Sequence, residues 1–255
     1  MSYIQQKALI VKKEELAQGI FRYTLKNSEL VSLSRAGQFV HILCGEKTLR
    51  RPISICSIDK ENGVFDIVFS AKGEGTHWMS GQNKGDEYDV LGPLGNGFDT
   101  DIKGRVLLIG GGIGVPPMLC VASEILAPCD AILGFGSKDA VILEKDFKAV
   151  CSNVHITTDD GSFGRKGLVT DLLSEIADRQ KYSVIYACGP APMLKAVAMI
   201  AEKNKIKCCV SLEERMGCGV GACLVCACKT KHGNIEQFSH VCKDGPVFNA
   251  QEVVW

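Results

Sequence analysis

Four cysteines near the carboxyl-terminal end constrain the fold of this chain more than any other feature. They are spaced Cys-x4-Cys-x2-Cys-x15-Cys along the sequence and are Cys218, Cys223, Cys226 and Cys242. Four thiolates that bind one group must converge, so the chain has to turn back on itself around them. Glycines at positions 217, 219 and 221 suit such turns because glycine adopts positive φ angles without a steric penalty. We therefore expect residues beyond about 213 to wrap around a bound group rather than to form helices.

The spacing of these cysteines is that of plant-type ferredoxins, in which four thiolates hold a 2Fe–2S cluster. The flanking glycines would also let backbone N–H groups approach the sulfur atoms and stabilise their negative charge. Zinc is an alternative, although zinc sites usually contain paired Cys-x2-Cys units and this segment contains one. Buried inert thiols and a disulfide scaffold are further alternatives. Cys228 lies close enough in sequence to compete as a ligand, but the spacing favours Cys226.

The total number of cysteines helps to predict the cellular compartment of the protein. The chain has 13 cysteines in 255 residues, and this odd number excludes a fully paired disulfide framework. The first residues lack the basic start, apolar stretch and small-residue cleavage site of a secretory signal. We therefore predict a cytoplasmic protein whose thiols stay reduced. Cysteines in apolar runs, such as Cys44, Cys120 and Cys208, are expected to pack as small buried hydrophobic residues.

Charge and hydropathy exclude two further classes of partner. The formal net charge is zero, so the chain offers no electrostatic footprint for nucleic acid or for an anionic membrane surface. The uncharged run 106–123 is long enough to resemble a membrane span. It is rich in glycine and proline, however, and we interpret it as a buried strand, a turn and the start of a helix.

The pattern along the chain predicts an α+β multi-domain fold with three parts. Residues 1–100 contain short runs of β-branched and aromatic residues separated by turns, which is typical of an antiparallel β-barrel. Residues 101–211 alternate apolar strands with helices, one of them near Val169–Asp178, which predicts an α/β domain with a parallel sheet. Residues 212–255 form a small cysteine-rich module.

Motifs in the first part favour a flavin that carries a pyrophosphate. In Arg51-Pro52-Ile53-Ser54 the arginine can grip a pyrophosphate with two hydrogen bonds, and the hydroxyl can reach a flavin ring nitrogen. The glycine-rich segment 72–76 reads as a turn whose N–H groups can hold phosphate, and the strand before it can lie along the ring. An arginine at a strand edge is the alternative for the first motif. The residues predicted to hold FAD are Arg51, Pro52, Ile53, Ser54, Val68, Phe69, Ser70, Gly75 and Thr76.

Motifs in the second part favour a nicotinamide nucleotide. The glycine-rich turn 110–117 opens a helix, whose N-terminus favours anionic oxygens, although it is not the G-x-G-x-x-G fingerprint and a structural turn is an alternative. A later strand ends at Cys188, at the carboxyl edge of the sheet where ligands bind. Cys188 is our candidate to face the nicotinamide; otherwise it is a small residue that ends a strand. The residues predicted to hold the nucleotide are Gly111, Gly112, Gly114, Gly189 and Pro190.

Two segments bear on which nucleotide binds. Residues 158–162 end another strand at the same edge of the sheet, and they contact the cofactor or simply form a polar turn. Ser137 and Lys138 follow the second strand, where a 2′-phosphate would need basic or hydroxyl partners. One lysine is not an arginine cluster, so the sequence favours NAD over NADP.

The order of the motifs RPIS, KGEGT, GGGIGVPP and CGPAPM resembles the ferredoxin–NADP reductase superfamily. The segment ERMGCGVGACLVCACK through HVCKDGPVF is similar to the electron-transfer subunits of bacterial class 1B dihydroorotate dehydrogenases. The resemblance covers essentially the whole chain. It implies FAD, a 2Fe–2S cluster and NAD(H), and a partner catalytic subunit with FMN in a heterotetramer of two catalytic and two electron-transfer subunits.

The same resemblance implies a role in pyrimidine (UMP) biosynthesis. Electrons from dihydroorotate would pass through the partner's FMN, the cluster and FAD to NAD⁺. Related diaphorase subunits of hydrogenases, sulfite reductases or ferredoxin-linked transhydrogenases share these modules and are an alternative. A non-enzymatic redox sensor or structural subunit, whose flavin fold is vestigial, is another.

Overall fold

The computed structural model describes residues 3–177, 181–233 and 235–255. Its first part contains six strands and two short helices, which are β1 (Ile4–Ala17), β2 (Ile20–Lys26), α1 (Ser28–Leu33), β3 (Phe39–Ile42), β4 (Arg51–Asp59), β5 (Val64–Ser70), α2 (Glu74–Gly81) and β6 (Glu87–Leu94). The strands close into a barrel in the order β1-β2-β5-β4-β3-β6, and each neighbouring pair is antiparallel. The predicted antiparallel β-barrel is confirmed.

Aromatic residues fill the barrel and hold α2 in place. The rings of Tyr23 and Tyr88 are fully buried and stack with their centroids 5.9 Å apart. Both hydroxyl groups donate to the Met79 carbonyl oxygen of α2, at 3.0 Å from Tyr23 and 2.7 Å from Tyr88. The hydroxyls thus have partners although the rings are buried, and the position of α2 is fixed from inside the barrel.

The sequence did not predict the two helices of this part. Segment 72–76 was expected to be a turn, but Glu74–Gly81 is a helix. Its first turn is closed by Thr76, whose Oγ1 accepts a hydrogen bond from the Gly73 N–H at 3.1 Å. Helix α1 begins in a similar way, since Asn27 Oδ1 accepts from the Leu30 N–H at 2.8 Å.

The second part alternates strands with helices, in the order β7 (Val106–Gly111), α3 (Val115–Glu124), β8 (Cys129–Phe135), α4 (Glu144–Val150), β9 (Asn153–Thr158), β10 (Arg165–Lys166), α5 (Val169–Ala177), β11 (Val184–Cys188), α6 (Ala191–Lys203) and β12 (Lys207–Ser211). The strands pair in parallel in the order β10-β9-β8-β7-β11-β12. The predicted parallel sheet is confirmed, and every residue of β7 is buried. Asp178, the expected end of one helix, lies outside the described residues.

The third part contains the strands β13 (Ala227–His232), β14 (Ile235–His240) and β15 (Val247–Asn249). Strands β13 and β14 form an antiparallel hairpin, whereas β15 pairs antiparallel with β12 and extends the parallel sheet. The cysteine-rich segment is therefore fixed to the nucleotide sheet at its far end.

Contacts between the three parts hold the barrel, the sheet and the cysteine-rich segment together. Helix α3 packs against β4. The Arg22 guanidinium of β2 donates at 2.8 Å both to Asp66 and to Asp146 of α4. Asn96 Nδ2 donates to the carbonyl oxygen atoms of Lys243 at 3.1 Å and Asp244 at 3.0 Å. Among the described residues, no helix is both long and apolar enough to cross a membrane.

Candidate cofactor sites

The loop after residue 216 aims backbone N–H groups at the sulfur of Cys218. This Sγ accepts hydrogen bonds from the N–H groups of Val220 at 3.4 Å, Ala222 at 3.2 Å and Cys223 at 3.4 Å. Burial acts to raise the pKa of the Cys218 thiol, but these donors and the Cys223 thiol lower it to about 6. The loop thus stabilises a thiolate, which is the form that binds iron.

The four predicted ligand sulfurs form two pairs. Cys218 donates its N–H to Cys223 Sγ at 3.3 Å, and the Sγ atoms of Cys226 and Cys242 lie 3.2 Å apart. Gly221 donates its N–H to Cys242 Sγ at 3.1 Å. Across the described ranges, no three or more His, Cys, Asp or Glu side chains are grouped as metal ligands. A 2Fe–2S cluster takes two terminal thiolates on each iron, so paired sulfurs with N–H donors fit that group.

Glycine is required at two positions of this loop. Gly219 and Gly221 have φ angles of 75° and 81°. A Cβ on Gly219 would also lie 2.6 Å from Nδ1 of His41, on strand β3. The His41 ring is fully buried, and burial lowers its pKa to about 4, so the ring is neutral at pH 7. The loop therefore packs directly on the barrel.

Cys228, the competing ligand, has different surroundings. It lies in β13 opposite Ser239 and lines a cavity of about 510 Å³ with Gly189 and Phe238. Burial raises the pKa of its thiol to about 11. These surroundings favour a neutral thiol at Cys228, in contrast to the N–H donors around Cys218.

A cavity of about 460 Å³ lies beside strands β4 and β5 of the barrel. Eight of the nine residues predicted to hold FAD line it, namely Arg51, Pro52, Ile53, Ser54, Val68, Phe69, Ser70 and Thr76. Gly75 lies behind the Arg51 side chain, because a Cβ on Gly75 would be 2.5 Å from Arg51 Nε. Glycine at this position lets the guanidinium lie across the N-terminus of α2.

Positive charge is concentrated at the α2 end of this cavity. Arg51 Nη1 donates to the Leu49 carbonyl oxygen at 2.6 Å, which orients the guanidinium. The N-terminus of α2 adds the partial positive charge of a helix end. Thr76 uses its hydroxyl within the protein, accepting from the Lys72 N–H at 3.0 Å and from Gly73. A pyrophosphate would fit this end, where Arg51 is its predicted partner and Thr76 shapes the turn.

The cavity is also lined by residues that the sequence did not single out. Ile113 comes from the turn after β7, Met216 lies two residues before Cys218, and Pro246 lies four residues after Cys242. Glu213 lines it as well, and desolvation by the surrounding protein raises the pKa of its carboxyl group. All three parts of the chain therefore meet at one cavity. No local sequence signal marks these residues, because tertiary packing alone brings them together.

A second cavity, of about 420 Å³, lies at the carboxyl edge of the parallel sheet. The predicted nucleotide residues Gly111, Gly112 and Pro190 line it, together with Asp159. The strands β7, β8 and β9 all end here, which is where open α/β sheets bind ligands. The glycine turn leads into α3, so backbone N–H groups and a helix N-terminus are available for phosphate.

The other predicted nucleotide residues, Gly114 and Gly189, make close contacts next to this cavity. A Cβ on Gly114 would lie 2.4 Å from the Cys188 carbonyl oxygen, and one on Gly189 would lie 2.6 Å from Met193 Cε. Cys188 itself is 1 % exposed, and burial raises its pKa to about 12. Cys188 is not among the described residues that line either of the two cavities. Its assignment to the nicotinamide stays a prediction.

Gly114→Ala tests the close contact between the two loops. The added Cβ would meet the backbone of residues 188 and 189, which cannot move as a flexible side chain would. Overpacking of this kind costs about 1–3 kcal/mol, and each kcal/mol lowers Tm by roughly 2–4 °C in a chain of this size. We expect a lower Tm in thermal unfolding and a higher KM for NADH. Gly81→Ala is the control, because nothing lies within 4 Å of a Cβ there; equal effects of both variants would contradict the contact.

Comparison with known proteins adds family and fold to this geometry. The family described as "Iron-sulfur cluster binding domain of dihydroorotate dehydrogenase B" matches residues 213–254, and "Oxidoreductase NAD-binding domain" matches residues 108–199. The chain is similar to the dihydroorotate dehydrogenase B (NAD(+)) electron transfer subunits of Shouchella clausii, with 42% identity over 98% of both chains, and of Lysinibacillus sphaericus, with 43% identity over 96% of both.

Solved structures show the same architecture. One reported under the description "Insights into flavin-based electron bifurcation via the NADH-dependent reduced ferredoxin-NADP oxidoreductase structure" has a TM-score of 0.88 and 34% identity. That match covers 97% of this chain and 90% of the other. The cytochrome P450 reductase GcoB of Amycolatopsis shares the fold with a TM-score of 0.69 at 20% identity, over 80% of this chain and 67% of the other.

Proposed function

The chain belongs to the family of dihydroorotate dehydrogenase B (NAD(+)) electron transfer subunits, and from this we propose that it carries electrons between a partner subunit and NAD⁺. The observation that carries this proposal is the cavity beside β4 and β5. It is lined by the FAD motif, by Ile113 of the nucleotide turn and by Met216 next to the first cluster cysteine. A flavin bound there would lie within reach of both other cofactors.

Each part of the chain has a separate task in this proposal. When bound, FAD exchanges a hydride with the nicotinamide and single electrons with the 2Fe–2S cluster. Arg51 and the N-terminus of α2 would bind the pyrophosphate, and the Ser54 hydroxyl would be available to hydrogen-bond to the flavin. The proposed parts are residues 1–100 for FAD, 101–211 for NAD(H), and 212–255 for the cluster, with its four ligand cysteines.

The partner we propose is an FMN-containing catalytic subunit in a heterotetramer with two copies of each chain. That subunit oxidises dihydroorotate to orotate in pyrimidine biosynthesis, and this chain passes the electrons on to NAD⁺. We place the complex in the cytoplasm, because four ligand thiolates and nine further cysteines persist best where thiols stay reduced.

Reconstitution with the catalytic subunit tests this function. Both chains are co-expressed, purified anaerobically, and assayed for NADH formation from dihydroorotate and NAD⁺. We expect the two chains to purify together and NADH to form only when both are present. A chain that reduces dyes with NADH but neither binds the catalytic subunit nor supports NADH formation would overturn the assignment.

A second candidate is a subunit of an NADH-dependent ferredoxin–NADP oxidoreductase. The observation in its favour is the match to a structure of that description at 34% identity over nearly the whole chain. The two functions differ in the partner, so the reconstitution separates them. NADH-linked reduction of ferredoxin with a second flavoprotein, and none with dihydroorotate, would support this candidate.

Asp159 provides a test of the preference for NAD. It follows β9, lines the nucleotide cavity and can accept hydrogen bonds from ribose hydroxyl groups. Its carboxylate would repel a 2′-phosphate, and such like-charge contacts cost several kcal/mol. We expect Asp159→Asn to raise kcat/KM for NADPH relative to NADH by at least about tenfold. The control is Asp160→Asn, whose carboxylate already accepts from the Ser162 N–H at 2.9 Å; an unchanged NADPH/NADH ratio in Asp159→Asn would count against the role.

A further inference from the structure

Two cysteines outside the cofactor sites lie side by side at the opposite edge of the parallel sheet. Cys129 begins β8, and Cys151 follows the last residue of α4. Their Sγ atoms are 3.6 Å apart. The Cys129 carbonyl oxygen also accepts a hydrogen bond from the Ser152 N–H at 2.8 Å, so the two backbone segments run next to each other.

We propose that Cys129 and Cys151 form a redox-active dithiol, which a hydroperoxide oxidises to an intramolecular disulfide. A disulfide needs its sulfur atoms about 2.05 Å apart, so the present separation of 3.6 Å requires only a small approach. The backbone contact through Ser152 already holds the two segments together. Rotation of the two side chains can therefore supply the approach without moving a strand.

The pKa of Cys129 shifts differently from that of other buried cysteines, although Cys129 is itself buried. Its hydrogen bond with Cys151 lowers the pKa of Cys129, while burial opposes the shift. Cys56 and Cys120 are fully buried, and burial raises the pKa of both. A thiolate is the form that attacks peroxide, so Cys129 is favoured over those thiols. Cys151 is only partly buried and gives a small peroxide access to the pair.

The reaction balances in two steps. One thiolate sulfur attacks a peroxide oxygen, so an S–O bond forms, the O–O bond breaks and water leaves after protonation. The neighbouring sulfur then attacks this sulfenic acid; the S–S bond forms, the S–O bond breaks, and a second water leaves with the remaining thiol proton. In sum, two thiols and one hydrogen peroxide give one disulfide and two water molecules.

The disulfide would leave the cofactor sites open. Cys129 begins β8 and Cys151 lies two residues before β9, whereas the nucleotide cavity is lined by the far ends of these strands, at Phe135 and Thr157. The cross-link would tie the end of α4 to β8 across 22 residues of chain. It would therefore stabilise the fold mainly by restricting the unfolded chain.

Peptide mapping of the cofactor-loaded protein tests the proposal. The protein is treated anaerobically with one equivalent of hydrogen peroxide, unfolded, alkylated and digested. We expect a linked peptide containing Cys129 and Cys151, lighter than the two reduced peptides by two hydrogen atoms, with Cys56 and Cys120 alkylated as the internal control. NADH-dependent dye reduction should be unchanged, and Tm should rise.

A variant that lacks one of the two cysteines provides a second test. Cys151→Ser should stop at the sulfenic acid of Cys129, which dimedone traps, and should show no rise in Tm with peroxide. Titration of the unmodified chain with reduced and oxidised glutathione should also yield the Cys129–Cys151 disulfide, and this measurement needs no variant. If Cys129 and Cys151 remain alkylated as reduced thiols while the cluster absorbance is already lost, or if other cysteine pairs link as often, the proposal is wrong.

Discussion

Cys223→Ser is expected to abolish the iron–sulfur absorbance of this chain and the transfer of electrons to its partner. Cys223 forms one of the two sulfur pairs with Cys218, whose N–H it accepts at 3.3 Å. A serine hydroxyl is a much poorer ligand than a thiolate for the iron of such a cluster. Mutation of a residue that only hydrogen-bonds to a metal ligand lowers metal affinity or activity by about 10–100-fold. Loss of a ligand itself should have a larger effect, so we expect dihydroorotate-dependent NADH formation to fall by more than about 100-fold.

Flavin reduction by NADH should survive this change, because the cavity lining contains Met216 but none of the cluster cysteines. The measurements are iron content, visible absorbance and the rate of NADH-dependent flavin bleaching. Cys228→Ser is the matched control, and it should retain iron because that thiol lies in β13. Retention of the iron–sulfur absorbance in Cys223→Ser, or collapse of flavin reduction with it, would contradict the separate sites.

Arg51→Gln is expected to yield a chain that purifies largely without FAD. The guanidinium lies across the N-terminus of α2, at the end of the cavity where a pyrophosphate fits. Hydrogen bonds to charged groups contribute about 1.5–3 kcal/mol each. Loss of two such bonds should weaken FAD binding by more than about 100-fold. FAD content and the Kd from flavin fluorescence measure the effect directly.

Arg165→Gln is the control for the loss of one arginine. Arg165 pairs with Glu175 at the surface and does not line the FAD cavity, and exposed pairs contribute little to stability. Its FAD content should equal that of the unchanged chain. An Arg51→Gln chain with full FAD content would show that the phosphate is held elsewhere.

Regular elements could be predicted from the sequence because their signals are local. Strands β5 and β12 are runs of β-branched and apolar residues with clear ends, and such a pattern can be recognised from the sequence alone. Helix α2 was missed because its opening is rich in glycine, and the contact that closes its first turn comes from one hydroxyl, Thr76. Cys44, Cys120 and Cys208 are buried, as their apolar surroundings predicted.

The candidate site likewise contains residues that sequence motifs mark and residues that only the tertiary packing brings together. Residues Arg51 to Ser54 are contiguous in sequence and line one cavity, and the Sγ atoms of Cys226 and Cys242 lie 3.2 Å apart. Ile113, Glu213 and Met216 are far apart in sequence from that segment, and only the packing of three parts places them together. The proximity of Cys129 to Cys151 also depends on strand order, which sequence patterns do not specify.

We propose that this chain alone connects NADH to an iron–sulfur cluster through a flavin. An anaerobic titration of the purified chain with NADH, followed by visible and electron paramagnetic resonance spectra, tests it most directly. We predict one FAD and two irons per chain, bleaching of the flavin band, and then the resonance of a reduced 2Fe–2S cluster. A colourless chain without iron, or a cluster that stays oxidised while the flavin is fully reduced, would contradict the account.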